Sequence, residues 1–520
     1  MGEVVAEGME PVEAGAGTRG RRRLRRRALA AAAWLAAAVL AAGPKAAPAG
    51  PESGPWALPP PGSCAPSGGL RGWPIGQDAP PIPFHSGDVV DLGKAEVLKN
   101  YLPPALWEQR DHFFYEGQRL EIGPCFRDYA PPAFFQEATE KERGKTHLQD
   151  NGGIADYNAG LPFAPDTIAL DDPQAGLKWA WNVAERYQAG GFKAKFRVSD
   201  MVGRSGRAEP FEGELFLLQL AGRTDRAAAA YKVPGAGTQA WVGGGMMTEP
   251  FAAREYAWRQ YRDTATLTDP DRSDDLHAFL PEWRRVRRIN SNQIEGIFMP
   301  SFSVGVQPAT QLSVGAANAG GAVGGVAIGA GGGGGGAITP KRTGFEGLVL
   351  RPLLYDFRLL GLQDVLTPIN AVTPSYSEAT ERNYGPWGLS FASDRWDLRR
   401  ALVLEGRFKG TRGGDQTARL VLYVDLETLQ PLYYLSYDKR GEAIDVGMFV
   451  GRWSEDRADY PKWPDDPTRP VRVIDSVGES FANLSEGGGW RRESWTAVSV
   501  PPSDSSLPGL LSVDSLTKRR

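Results

Sequence analysis

The sequence predicts a mainly β chain with helices (α+β), built on a large antiparallel sheet, open or half-closed, with helical cover. Three features predict it. Residues 419–450 alternate with period 2 and are broken twice by turn residues. From Phe192 onward, strand-length segments follow one another between Gly, Pro and Asp clusters. One earlier segment, 171–187, has helical spacing instead.

In the first of these, Leu420, Leu422, Val424 and Leu426 share one strand face, and Arg419, Val421, Tyr423 and Asp425 share the other. Residues 425–431 supply a turn, and an aromatic-rich strand follows over Leu432–Tyr437. Asp438–Gly441 then turns the chain into a third strand, Ala443–Val450, with Gly441 free to adopt positive φ. The result is a meander with one apolar face that needs a cover. Leu422, Val424, Tyr433 and Leu435 are the candidate wall residues should that cover be a bound apolar molecule.

At the N-terminus, Arg19–Arg27 is a basic stretch, 28–43 is a short Ala-rich apolar run, and Ala47-Pro48-Ala49 offers small residues at a cleavage site. This pattern makes 1–49 a secretory signal. The alternative, an uncleaved anchor, would need a run nearer the ~20 residues of a membrane span. Residues 50–83 are Pro/Gly-rich and form a linker. Cys64 and Cys125 are the only cysteines. In an exported chain they can bridge and tether that linker to the body, or remain buried free thiols.

Folding begins near residue 84. Residues 88–101, followed by 102–117, suggest a short helix and an aromatic-rich segment, with Pro103 and Pro104 placing a boundary. Asp171 and Asp172 offer caps to a longer helix, with Pro173 in its first turn, Leu177, Trp181, Ala184 and Tyr187 on one face, and Gly190-Gly191 at its end. Strands follow in 192–202, 211–220, 253–267 and 275–289. The Gly-rich tract at 315–338 is an inserted loop. Strands resume in 357–370 and 395–408 and pass into the meander. Residues 471–520, richer in Ser and Pro, form a C-terminal tail on the surface.

With 41% hydrophobic and 23% charged residues, the 520-residue chain has material for a large core, and a net charge of -3 gives nucleic acid no general attraction. Known chemistries fail on spacing. His85, His112, His147 and His277 are scattered, no G-x-S-x-G elbow occurs, and the Gly tract lacks the Lys-Ser/Thr ending of a phosphate-binding loop. Asp269, Asp271, Ser273 and Asp275 hint at a calcium loop, but Asp274 and Leu280 occupy the positions of its Gly and Glu. The sequence therefore carries no sign of an enzyme, a cofactor or a metal site.

One charged cluster stands out. Arg284, Arg285, Arg287 and Arg288, with Trp283 beside them, form either a solvated edge strand that deters pairing or a guanidinium fork for an anionic ligand or partner.

Four stretches carry a family resemblance: DPQAGLKWAWNVAERYQ, HAFLPEWRRVRRI, RWDLRRALVLEG and VLYVDLETLQPLYYLSYDKRGE. In this order they resemble the exported bacterial domain-of-unknown-function 1329 family, itself similar to outer-membrane lipoprotein-sorting proteins of the LolA/LolB type. The resemblance spans about 81–470 and implies one LolA/LolB-like domain over 84–470, a half-barrel of antiparallel strands wrapped over helices. It implies an apolar cavity that takes a lipid or other hydrophobic ligand, and a location in the periplasm or at the outer membrane of a Gram-negative-type envelope. It also implies a partner such as an inner-membrane export pump or an outer-membrane protein. The function expected is non-catalytic binding or carriage of an amphipathic molecule. The alternative is a periplasmic adaptor or scaffold for a transporter, with the same sheet faces filled by ordinary core.

Overall fold

The computed structural model describes residues 56–64, 82–114, 116–202, 206–207, 211–226, 231–281, 284–291, 313–314, 326–327, 350–371, 395–410, 417–464, 466–484, 489–501 and 504–517. Its strands are β1 (Val89–Val90), β2 (Leu120–Ile122), β3 (Gly191–Val202), β4 (Phe211–Gln219), β5 (Gln239–Glu249), β6 (Ala257–Asp263), β7 (Asp274–Leu280) and β8 (Arg285–Ser291). They continue with β9 (Tyr355–Thr367), β10 (Arg395–Phe408), β11 (Arg419–Asp425), β12 (Pro431–Tyr437), β13 (Ala443–Trp453), β14 (Ile474–Asn483) and β15 (Gly489–Val498). The helices are α1 (Pro104–Glu108), α2 (Arg110–Phe113), α3 (Ala133–Glu142), α4 (Ala175–Ala184) and α5 (Leu507–Leu511), and a 3-10 helix covers Leu92–Tyr101. None of the described helices is long and apolar enough to cross a membrane.

One sheet organises these elements in the order β1-β2-β10-β11-β12-β13-β14-β15-β3-β4-β5-β6-β7-β8, with β9 along β10. Among the described residues only β2 and β10 run parallel. The sheet is a curled half-barrel whose end strands do not meet. Bulges at Leu359/Gly361, Val450/Gly451 and Glu212/Gly213 bend its strands and add twist.

Curling is helped by a repeated pairing on one face. Phe357, Tyr434, Phe196 and Trp258 each lie directly opposite a glycine of the next strand, Gly406, Gly447, Gly213 and Gly245 respectively. Each ring occupies the place of the missing side chain: a Cβ at Gly406 would sit 2.8 Å from the Phe357 ring, and one at Gly245 would sit 2.5 Å from Trp258. Gly406→Ala is therefore expected to destabilise the fold by about 1–3 kcal/mol through overpacking. Chemical denaturation should show a smaller loss from the same change in a Phe357→Leu background; equal losses would mean that the ring does not hold the site.

The meander differs from its expected one-sided form, because β11 and β12 are buried on both faces. On one face Val421, Tyr423, Tyr433 and Leu435 pack with Leu106 and Trp107 of α1 and with Phe113 and Phe114. On the other, Leu420, Leu422, Val424 and Tyr434 pack in one cluster with Trp179, Ala180 and Val183 of α4. Two covers remove the polar face that alternation would otherwise leave to solvent.

Three expected boundaries also change. Residues 471–520 are not a surface tail: β14 and β15 sit mid-sheet and join the two meanders, and Leu507 and Leu510 of α5 pack on Phe216, Leu218 and Val242. The linker at 50–83 is fixed over 56–64, where the Trp56 indole donates to the Ile168 carbonyl at 2.8 Å and Cys64 is disulfide-bonded to Cys125. The single strand expected over 275–289 is the β7–β8 hairpin, with Arg284 in its turn at φ +50. The expected signal at 1–49 lies outside the described residues, as does the Gly-rich tract at 315–338, apart from Val326–Ala327 paired with Ser313–Val314.

Helix α4 is anchored at both ends and pressed onto the sheet between them. Asp172 accepts from the Gln174 amide just before the helix and pairs with Lys178 at 2.6 Å; the N-cap is Gln174, so Asp172 braces the turn ahead of the helix instead of capping it as expected. Gly176 allows the helix to touch the sheet, since a Cβ there would collide with the backbone of Arg358 and Leu359 in β9. The helix ends at Glu185, and Gly190, at φ +73, turns the chain into β3.

Candidate functional site

A cavity of about 180 Å³ lies where the end of α4 meets the ends of β4, β5 and β6. Its apolar wall includes Trp181, Leu217, Trp241 and Leu350. Its polar wall is Tyr157, Glu185, Arg186, Arg262 and Arg351, with exposed Asn158 at the rim. For comparison, an engineered cavity of roughly 150 Å³ holds benzene, and pockets for drug-sized ligands begin at about 300 Å³. The space suits a small polar group with a short apolar attachment.

The charges around it are arranged unequally. Arg262 is held from behind by Asp274, Nε to Oδ1 at 2.9 Å and Nη2 to Oδ2 at 2.8 Å, and its guanidinium stacks 4.7 Å from the centre of the Trp241 ring. Arg186 donates to the Val183 carbonyl at 2.9 Å and to Gln430 at 3.3 Å. Arg351 donates to the Arg272 carbonyl at 2.6 Å. Burial pulls the Arg186 guanidinium down to about 10, with Glu185 pulling it back up.

Glu185 is the one carboxyl on the wall. Burial pushes it up to about 7, against a hydrogen bond to Tyr157 and the positive charges of Arg262 and Arg186. The Tyr157 hydroxyl also donates to the Gly160 carbonyl at 3.1 Å. With one proton and two acceptors, the phenol serves Glu185 when that carboxyl is ionised. When Glu185 is protonated it can donate to the phenol oxygen, and the phenol then serves Gly160. Both states of Glu185 are satisfied.

The expected site residues lie elsewhere. Leu422 and Val424 face α4, while Tyr433 and Leu435 face α1, so the four candidate wall residues stand on opposite faces of the sheet. All are buried in packed clusters, and none lines the cavity. The reason is register: Leu422 pairs with Tyr434, and Tyr423 with Tyr433. Arg284, Arg285, Arg287 and Arg288 are exposed on or beside β8, the last strand of the sheet. Arg285 pairs with Leu280, at the opposite end of the strands from Arg262, and Arg288 forms an ion pair with Asp275. Trp283 lies outside the described residues. Asp275 is a strand residue, and among the described residues no group of three or more His, Cys, Asp and Glu side chains could hold a metal.

A second charged group lies on the other face of the sheet. Arg399 binds Asp425 at 2.8 Å and Glu427 at 2.7 Å and donates to the Arg127 carbonyl. Tyr129 donates its amide to Glu427 at 2.9 Å and its hydroxyl to Asp397. Burial pushes Asp397 up to about 6, against the Tyr129 hydrogen bond and the neighbouring arginines. Asp397 and Asp425 are 0% exposed, so these groups clamp residues 127–129 to the sheet rather than meet a ligand.

The cavity residues carried little sequence signal. Glu185 and Arg186 end an apolar helix as ordinary solvated charges would. Arg262, one of two arginines in residues 259–262, is buried and paired with Asp274, a strand away, which no local pattern shows.

Residues 92–301 and 333–459 match the family model described as protein of unknown function DUF1329. No curated protein matches the chain. Among solved structures it is similar to a domain named for outer membrane lipoprotein sorting from Vibrio parahaemolyticus, at 15% identity and a TM-score of 0.36, covering 67% of this chain and 100% of that one. It is similar to a DUF1329 family protein from Desulfovibrio piger at 14% identity and a TM-score of 0.37, covering 66% and 99%. It is also similar to a LolA superfamily protein from Nitrosomonas europaea, at 10% identity and a TM-score of 0.30, covering 63% and 96%.

Proposed function

The chain belongs to the DUF1329 family, whose members have no assigned function, and on the fold and the cavity we propose that it is an exported envelope protein that binds an amphipathic ligand without transforming it. The carrying observation is the cavity wall, in which Trp181, Trp241 and Leu217 stand beside guanidinium and carboxyl groups. Such a wall suits a molecule with a polar end and an adjoining apolar segment, each shielded methylene contributing about 0.8 kcal/mol. The Cys64–Cys125 disulfide supports an oxidising compartment.

Mass spectrometry of an organic-solvent extract of the protein, purified from an envelope fraction, is expected to find an amphipathic molecule in near-stoichiometric amount. A second reading, an adaptor for a transporter, draws on the packing of β11 and β12 on both faces. A clean extract with a transporter co-purifying would favour it.

A further inference from the structure

We infer that the cavity at the end of α4 takes the anionic head of an oxyacid amphiphile, a carboxylate first, and that Glu185 gains a proton as the anion enters. This rests on the proposed ligand binding and names the ligand class and its pH control.

Four groups share the cavity wall with Glu185, and three of them, Tyr157, Arg186 and Arg262, act on it directly. Tyr157 comes from the loop before α4, Arg186 follows Glu185 on the chain, Arg262 comes from β6 with Asp274 behind it, and Arg351 comes from the turn before β9. Three guanidiniums and one carboxyl, that of Glu185, thus line the cavity. A cationic guest would face that positive excess, and the Trp241 ring face it would stack on is already taken by Arg262. An anionic guest beside ionised Glu185 would face a like charge in a confined space. Protonating Glu185 removes that repulsion and takes from Arg186 the charge that partly offsets its burial; the guest's own charge then replaces it. The Tyr157 hydroxyl accommodates the change, because its donor can turn to Gly160. The position of Glu185 near neutrality makes this exchange accessible at ordinary pH.

The size of the space limits the guest to a head and a short attached chain, so octanoate is the carboxylate probe, octyl phosphate the second oxyacid and octanol the neutral control. Isothermal titration of the full chain with octanoate at pH 6 and pH 8 is expected to show about tenfold weaker binding at pH 8, since octanoate is ionised throughout while Glu185 changes state. In Glu185→Gln, a neutral isostere, that pH dependence should vanish and the tighter value persist at pH 8. Tyr157→Phe should weaken octanoate binding with its pH dependence retained. Octanoate affinity that is flat from pH 6 to pH 8 in the wild type, or octanol binding as tightly as octanoate, would overturn the inference while leaving the ligand-binding reading intact. Tighter binding of octyl phosphate than of octanoate would overturn the preference for a carboxylate. Binding of none of the three would overturn that broader reading as well.

Discussion

Replacing Arg399 with methionine is expected to lower the stability of the fold by about 3–5 kcal/mol, measured as a shift in the urea midpoint. Arg399 is 2% exposed, and its guanidinium is the common partner of Asp425 and Glu427. The cost arises less from the lost attraction than from the carboxylates left behind in a site that water does not reach. Burial already pushes Glu427 above its ordinary value, with Arg399 opposing it. Without the arginine Glu427 rises further, so the folded variant holds a proton that the unfolded chain has released. The defect should therefore be smaller at pH 5 than at pH 8, because a group with a raised folded value favours folding below that value and loses the benefit above it. Arg399→Lys should recover only part of the loss, since one ammonium cannot reproduce the forked contacts to two carboxylates. A defect of equal size at pH 5 and pH 8 would show that lost packing, rather than stranded charge, explains it.

Opening the Cys64–Cys125 disulfide is the second large effect. The bond closes a loop with a sequence separation of 61 residues, for which the chain-entropy relation gives about 4 kcal/mol. More than entropy is at stake. The strap 56–64 runs between the two cores: Trp56 packs edge-on against Trp179 with ring centroids 5.0 Å apart, in the α4 cluster, while Cys64 packs against the cluster on the opposite face. Arg400, paired with Asp364 at 2.9 Å, also donates to the Ala57 carbonyl at 2.8 Å. Releasing Cys64 therefore loosens a segment that touches both faces of the sheet. Cys64→Ser/Cys125→Ser should show a stability loss of about 2–4 kcal/mol and faster amide exchange in α4. Unchanged exchange in α4 would limit the role of the bond to the face that carries Cys125.

Much of the sheet was legible because its strands obey period 2: the meander at 419–450 and the strands expected over 192–202, 211–220 and 395–408 fall where the alternation places them. The helix ending at Ala184 follows its helical spacing, whereas the Gly-rich strand Gln239–Glu249 was missed and 275–289 is a hairpin. Three things were hidden by tertiary context. The strands β14 and β15 mix Ser, Glu, Gly and Arg with few aliphatics, so their mid-sheet place depends on neighbours that no local pattern reveals. Helix α3 was missed as well; its buried face is short, made by Phe135, Ala138, Thr139 and Glu142. The double cover of β11 and β12 could not be seen in alternation alone, because tyrosine and valine at the second set of positions suit an exposed strand face as well as a core. The cavity was the least legible part. Its polar groups come from a loop, a helix end, a strand and a turn, residues 157, 185–186, 262 and 351, which only the fold brings together.

Photo-crosslinking tests ligand binding at its proposed place. Octanoic acid bearing a terminal diazirine, irradiated with the full chain at pH 6 and mapped by tandem mass spectrometry, should label residues of the cavity wall, in the peptides that contain Trp181, Leu217 and Trp241. Excess octanoate should suppress that labelling. Adducts confined to other surfaces, or labelling of the wall that octanoate fails to suppress, would contradict a ligand held between the end of α4 and the ends of β4–β6.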